Sequence, residues 1–259
     1  MSYGLQLSAA GVLTSMYRMD VYANNLANTD TVGFKADIPA ALTRKPVTEE
    51  DADAGMLPSN KMLERLGGGT LAFPTATSHT QASLRSTGND LDLAIQGDGF
   101  FVTRDVADAG GDALRFTRDG RFTRNADGLL VMATTGMPVL DVSGNSIKLP
   151  NGKVTVDADG TIRHGQAAVA RVQITDVPDR SRLRKQGHSL FTAPADAMSS
   201  RFAATGSIRQ NHIEESGVDE VRTLLNVTSA ARDIESNLAM IQQHDRLMER
   251  AIAVLGRVN

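Results

Sequence analysis

The chain has 259 residues, 41% hydrophobic and 22% charged, which describes a folding polypeptide rather than a disordered one. Its 27 basic and 30 acidic residues leave a net charge of −3, and only 4% of residues are aromatic, with no Trp and no Cys. That balance removes the usual drive for non-specific nucleic-acid binding, and it excludes disulfides, thiolate catalysis and Cys-ligated metal centres.

No basic stretch followed by an apolar core opens the sequence, and no apolar run approaches the roughly 18 residues that span a bilayer. The expectation is neither membrane insertion nor a conventional Sec substrate. Near the N-terminus, Leu5, Ala9, Val12, Met16, Met19, Ala23 and Leu26 recur at alternating steps of four and three. That spacing predicts one helix over about residues 3 to 29 with a continuous apolar stripe. Gly33 and Phe34 close the segment, Gly being the residue that most readily takes a left-handed conformation after a helix.

Residues 36–83 fit no regular pattern. Pro39, Pro46, Pro58 and Pro74, the acidic run Glu49-Glu50-Asp51 and Gly67-Gly68-Gly69 predict an extended connector. From Leu84 to about Ala204 the chain changes to short β-rich runs such as Phe100-Phe101-Val102, Leu129-Leu130-Val131 and Val154-Thr155-Val156. These are separated by Asp98-Gly99, Asp119-Gly120, Asp127-Gly128, Ser143-Gly144, Asn151-Gly152 and Asp159-Gly160. Such steps are the strongest local hairpin signal, so an antiparallel all-β domain is expected.

The C-terminus returns to helical spacing. Leu224, Val227, Ala231, Ile234, Leu238, Ile241, Asp245, Met248, Ile252 and Leu255 alternate three and four, with no Pro or Gly between Val218 and Leu255. A period of about 3.5 residues held over four heptads reads as a coiled-coil seam. The fold class is therefore α+β, mainly β. The helical terminal segments (1–35 and 205–259) are expected to meet in space, a connector spans 36–83, and a central β domain covers 84–204. The central span is expected to fold without either helix.

No catalytic or metal pattern emerges. His79, His164, His188, His212 and His244 lie at no helical ligand spacing. Asp157-Ala158-Asp159-Gly160 lacks the later ligands of a calcium loop, and Gly97-Asp98-Gly99 lacks the third Gly of a dinucleotide fingerprint. Asp90 and Asp92 could pair for acid–base work, but with 4% aromatic residues and no Trp a sugar cleft would be poorly lined. No catalytic residue, cofactor, metal or small-molecule substrate is expected.

The run Ala23-Asn24-Asn25-Leu26-Ala27-Asn28-Thr29-Asp30-Thr31-Val32-Gly33-Phe34-Lys35 closely resembles the N-terminal signature of bacterial flagellar rod and hook proteins. Thr87 to Phe101 looks like that family's entry into its β domain, and Phe116 to Leu130 is similar to its first hairpins. Glu214-Glu215-Ser216 and the heptad helix complete the match from end to end. Two positions depart from the pattern. Ser216-Gly217-Val218 stands where Ser-Asn-Val is common, and Ile234 precedes Glu235 where an aromatic is common.

The resemblance implies a subunit whose terminal helices pair as a coiled-coil inner domain and that self-assembles into a hollow helical tube transmitting torque. Its partners would be copies of itself, other rod and hook axial proteins, and the flagellar type III export apparatus. It would lie in the periplasmic part of the basal body, with no nucleic acid and no direct membrane insertion. The expected assembly interface is Leu5, Val12, Met16, Met19, Leu26, Leu224, Val227, Ile234, Leu238, Ile241, Met248, Ile252 and Leu255. Asp176-Val177-Pro178-Asp179 with Leu183 and Lys185-Gln186-Gly187 looks more like the proximal rod type, whereas the connector length is closer to the distal type. The proximal type is favoured. Two other classes fit the pattern less well: a coiled-coil oligomer with an adhesin-like β head, and an enzyme with an unrecognised pocket.

Overall fold

In a computed structural model, residues 2–43, 70–105 and 113–255 are described. Pro46, Pro58, Glu49-Glu50-Asp51 and Gly67-Gly68-Gly69 of the expected connector lie outside these residues, as does the Leu255 side chain. The chain opens with α1 (Ser2–Ala27), β1 (Asp37–Thr43) and β2 (Thr70–Thr77). Then come β3 (Leu84–Ser86), β4 (Leu93–Gln96), β5 (Phe100–Asp105), β6 (Ala113–Thr117), β7 (Phe122–Arg124) and β8 (Leu130–Met132). Next are β9 (Thr155–Val156), β10 (Thr161–His164), β11 (Ala167–Arg171), β12 (Ile174–Asp176), β13 (Arg184–Lys185) and β14 (Leu190–Thr192). A short helix α2 (Ala195–Ser199), strands β15 (Phe202–Ala203), β16 (Ser207–Gln210) and β17 (His212–Glu214), and the long helix α3 (Glu220–Leu255) complete it. The protein is mainly β with a helix at each end.

Two compact units result. The first comprises residues 1–27, 37–76 and 219–259, and the second comprises 28–36 and 77–218. The second unit is thus wider at both ends than the span 84–204 read from the sequence.

In the first unit α1 packs along α3. Asp219 starts α3 as an N-cap whose Oδ1 accepts from the Arg222 amide at 3.0 Å, and Glu220 in the first turn suits the positive helix end. The segment expected as a connector departs from expectation where it is described, because β1 and β2 pair as a two-stranded sheet. A lone ribbon is marginal in water, and α1 supports this one. The Tyr17 hydroxyl donates to the Phe73 carbonyl at 2.8 Å, and Thr14 Oγ1 reaches the Thr70 carbonyl at 3.3 Å. At the end of α1, the buried Asn25 amide brackets Asp37, donating to its carbonyl at 2.7 Å and accepting from its N–H at 2.9 Å.

In the second unit a six-stranded sheet runs β13-β14-β6-β5-β12-β15, with every pairing antiparallel. Strand β5 is buried on both faces. Phe101 joins one cluster with Leu93, Ile95, Phe122, Leu130 and Met132, while Phe100 and Val102 join another with Phe116, Leu140 and Phe191. Successive side chains point to opposite faces, so a continuous Phe-Phe-Val run supplies both cores at once.

Asp127-Gly128 and Asp159-Gly160 do lie between paired strands, β7 with β8 and β9 with β10. Asp98-Gly99 and Asp119-Gly120 do not. The strands they follow pair elsewhere, β4 with β16 and β6 with both β5 and β14. Gly120 serves close packing instead: a Cβ there would sit 1.6 Å from the Leu93 carbonyl oxygen.

Candidate assembly interface

The face of α1 turned to α3 is built from small residues. Gly4, Ser8, Gly11 and Ser15 share one side at steps of four, three and four, and both serines are buried. A Cβ at Gly4 would stand 2.7 Å from His244 Nε2, and one at Gly11 would stand 2.8 Å from Asn237 Oδ1. Such closeness demands small or slender groups opposite, because bulky side chains would hold the backbones apart. Thr223 and Ala230 are buried accordingly, and Asn237, His244 and Ala251 continue that heptad position half-buried.

The expected seam on α3 is therefore rotated by one residue. Val227, Ile234 and Ile241 remain half-buried beside it. Leu224, Leu238, Met248 and Ile252 are 51%, 44%, 44% and 69% exposed. On α1, Val12, Met19 and Leu26 are half-buried, whereas Leu5 and Met16 are exposed. Helical spacing finds an apolar stripe, but it does not report that Gly and Ser allow the closer approach. Leu13, Met240, Leu247 and Val254, which lie off the stripes marked by helical spacing, add to the uncovered apolar surface.

The signature run divides between the units. Ala23, Asn24, Asn25, Leu26 and Ala27 end α1, and residues 28–36 belong to the second unit. There Thr31 donates to Asn28 Oδ1 at 3.1 Å. Gly33 adopts φ +67°, but six residues beyond the helix end. Its left-handed backbone is not a helix cap. It permits close approach to Arg118, whose carbonyl carbon would lie 2.5 Å from a Cβ. The Gly33 amide donates to the Glu214 carbonyl at 2.8 Å, and the Gly217 amide donates to the Phe34 carbonyl at 2.8 Å.

Lys35 is 1% exposed, and its Nζ donates to Glu214 Oε1 at 2.6 Å and to the Thr80 carbonyl at 2.7 Å. Glu214, fully buried, also accepts from Arg118 at 3.0 Å through Oε2 and from the Ala82 amide at 2.9 Å through Oε1. Arg118 in turn donates to the Gly97 carbonyl at 2.8 Å. Sequence segments around residues 35, 82, 118 and 214 thus meet at one carboxylate, and Gly97 joins them through Arg118. Burial pushes the Lys35 ammonium below the usual lysine range, and the charge of Glu214 opposes that. Lys185 lies over the Phe34 ring at 4.0 Å.

His79 is half-buried and rests against Phe100 and Phe191. Burial first, then the charges of Lys35 and Arg180, lower its pKa to about 4, so it is neutral near pH 7.

Elsewhere in the second unit a groove of about 670 Å³ contains Asp159, Arg171 and Arg201. Each engages its own chain: Arg171 donates to the Asp159 carbonyl, Arg201 to the Met198 carbonyl, and the Asp159 carboxylate accepts from Thr161. Among the described residues no helix is long and apolar enough to cross a membrane.

Residues 17–35 match the family described as flagella basal body rod protein, and residues 94–164 match the flagellar hook protein FlgE/F/G D1 domain. A flagellar basal-body rod protein FlgF of Caulobacter vibrioides is 32% identical over 266 residues, covering 100% of both chains. The chain belongs to the flagellar basal-body rod protein family. A FlgF of Mesorhizobium japonicum is 31% identical over 92% of each chain. A FlgG of Bacillus subtilis is 28% identical over 94% of this chain and 95% of its own. Rod-family proteins are structural, and this one is not an enzyme. The rod-family match at residues 17–35 takes in both the Asn25 bracket in the first unit and the Gly33 and Lys35 contacts to Glu214 in the second.

Proposed function

We propose that this chain is a structural subunit of the bacterial flagellar basal-body rod, of the proximal type, located in the periplasmic part of the basal body. Its terminal helices pair as a coiled-coil inner domain and assemble with copies of itself and other rod and hook axial proteins. The product is a hollow helical shaft that transmits torque and passes exported subunits. The chain itself reaches this site through the flagellar type III export apparatus.

The observation that carries the reading is the apolar surface left uncovered on the terminal helices of a single chain, at Leu13, Met16, Leu224, Leu238, Met240, Leu247, Met248 and Ile252. Exposed apolar residues in such number mark an interaction surface. Family membership makes neighbouring axial subunits its natural cover. A parallel adhesin stalk would leave one terminal helix without a partner, which does not suit two helices packed against each other.

The test is to follow a tagged chain in purified hook–basal bodies, alone and as the Leu238→Asp/Ile252→Asp double variant. The wild-type tag should co-purify with the rod. The variant should be made and folded yet absent from basal bodies, leaving cells without hooks or motility. Normal swimming by the double variant would remove the helices from the assembly role.

A further inference from the structure

We infer that the Lys35–Glu214–Arg118 cluster is a closure lock, a buried three-charge joint that lets the second unit fold only when both of its sequence ends are in place. Lys35 and Glu214 are 179 residues apart, Arg118 and Glu214 are 96 apart, and all three side chains are buried to within 2%. Two cations therefore face one carboxylate in a site from which water is excluded. With Glu214 present each cation has its own carboxylate oxygen, at 2.6 and 3.0 Å, and the Thr80 and Gly97 carbonyls and the Ala82 amide complete the hydrogen bonding. Without it, Lys35 and Arg118 would confront each other unpaired, an arrangement that low-dielectric surroundings penalise heavily.

The backbone around the lock ties the same two ends. Gly33 donates to the Glu214 carbonyl, Gly217 donates to the Phe34 carbonyl, and Ser216 Oγ donates to the Asn28 carbonyl, each at 2.8 Å. The strap leading to Glu214 also supplies the pairing strands of β4 and β3, with Ile208 opposite Ile95 and Ile213 opposite Arg85. Ile208 enters the same core as Leu93 and Phe101. In a chain emerging N-terminus first, from a ribosome or an export channel, Lys35 and Arg118 therefore lack the carboxylate that allows their burial until residue 214 arrives. The lock holds the second unit open until almost the whole chain is out. Only its use during export rests on the rod reading; the lock itself is a property of the isolated protein.

Pulse-labelled hydrogen exchange during refolding of the full-length chain tests it. The amides of Gly33, Ala82, Glu215 and Gly217 should gain protection in the same kinetic phase as those of β5 and β6. Protection of β5 and β6 in an earlier phase, at least ten times faster than Glu215 and Gly217, would overturn the inference. A second measurement uses the folded Glu214→Gln variant. Exchange should accelerate on the order of 100-fold across the second unit together, in line with the cost of leaving buried charges unpaired. Acceleration confined to Gly33 and Ala82, with β5 and β6 unchanged, would reduce the cluster to a local contact. Neither result depends on rod assembly, so a failure here is separable from a failure in the basal-body experiment.

Discussion

Gly33, in the signature run, and His79, beyond it, show how single positions set the tolerance of the second unit. A Gly33→Ala side chain would need a left-handed backbone and would press on the Arg118 carbonyl carbon and the Asp119 amide at 2.5 and 2.6 Å. The conformational cost alone is about 1–2 kcal/mol, and backbone atoms cannot swing away as a side-chain tip can. Gly33→Ala should lower the denaturant midpoint of the second unit well beyond that of Gly136→Ala, whose Cβ would meet nothing within 4 Å. Both glycines have positive φ, so the comparison isolates the contact from the conformation.

His79 supplies a pH dependence. Its ordinary pKa near 6.5 falls to about 4 in the folded chain. The unfolded chain therefore takes up the proton first, and this group's share of stability is lost as pH falls from about 6.5 to about 4. Below that range both states are protonated and it contributes no further change. The His79→Phe variant should show a shallower loss of stability across that window in urea titrations at fixed pH. An identical slope for variant and wild type would show that the imidazole stays solvated.

At the scale of elements, the α1–α3 pair assigns opposite roles to neighbouring residues. Gly11→Leu would force a branched side chain into the space held by Asn237, and overpacking of this kind typically costs about 1–3 kcal/mol. It should loosen the pair in the isolated chain, read as faster amide exchange in both helices. Leu238→Asp alters an exposed position and should leave that exchange unchanged while blocking incorporation into the rod. Ile241, half-buried beside the seam, should show both defects when changed to Asp. Asp245 already occupies the exposed heptad position of Leu238 and Ile252, so Asp245→Leu should be mild in both readouts. All three tyrosines, at positions 3, 17 and 22, lie in α1, so their fluorescence follows this unit specifically.

For the whole molecule, the two compact units interleave along the sequence, with the chain passing between them several times. A fragment of residues 84–204 lacks Lys35, His79, Ile208, Ile213 and Glu214, and with them a core side chain, the strap and the lock. It should melt broadly, whereas 28–218 should melt in one cooperative transition. Sharp, superimposable calorimetric transitions for the two fragments would show that the ends of the second unit are dispensable.

Much of this protein follows from the sequence by itself: a helix at each end, a β-rich middle, the absence of catalytic patterns, and a signature specific enough to indicate the family. Those features are local. Helical and strand periodicities arise from neighbouring residues, and a motif is legible wherever its residues are contiguous. The tertiary structure alone decided which face of each helix is covered, because that depends on how closely two backbones approach at Gly4 and Gly11. It alone joined β1 to β2 across residues 44–69, and it alone brought Lys35, Arg118 and Glu214 to one buried point. Each of the three was already visible inside a recognisable block. Nothing in the spacing of those blocks reveals that both cations share one carboxylate, since charge pairing depends on distance in space and not along the chain.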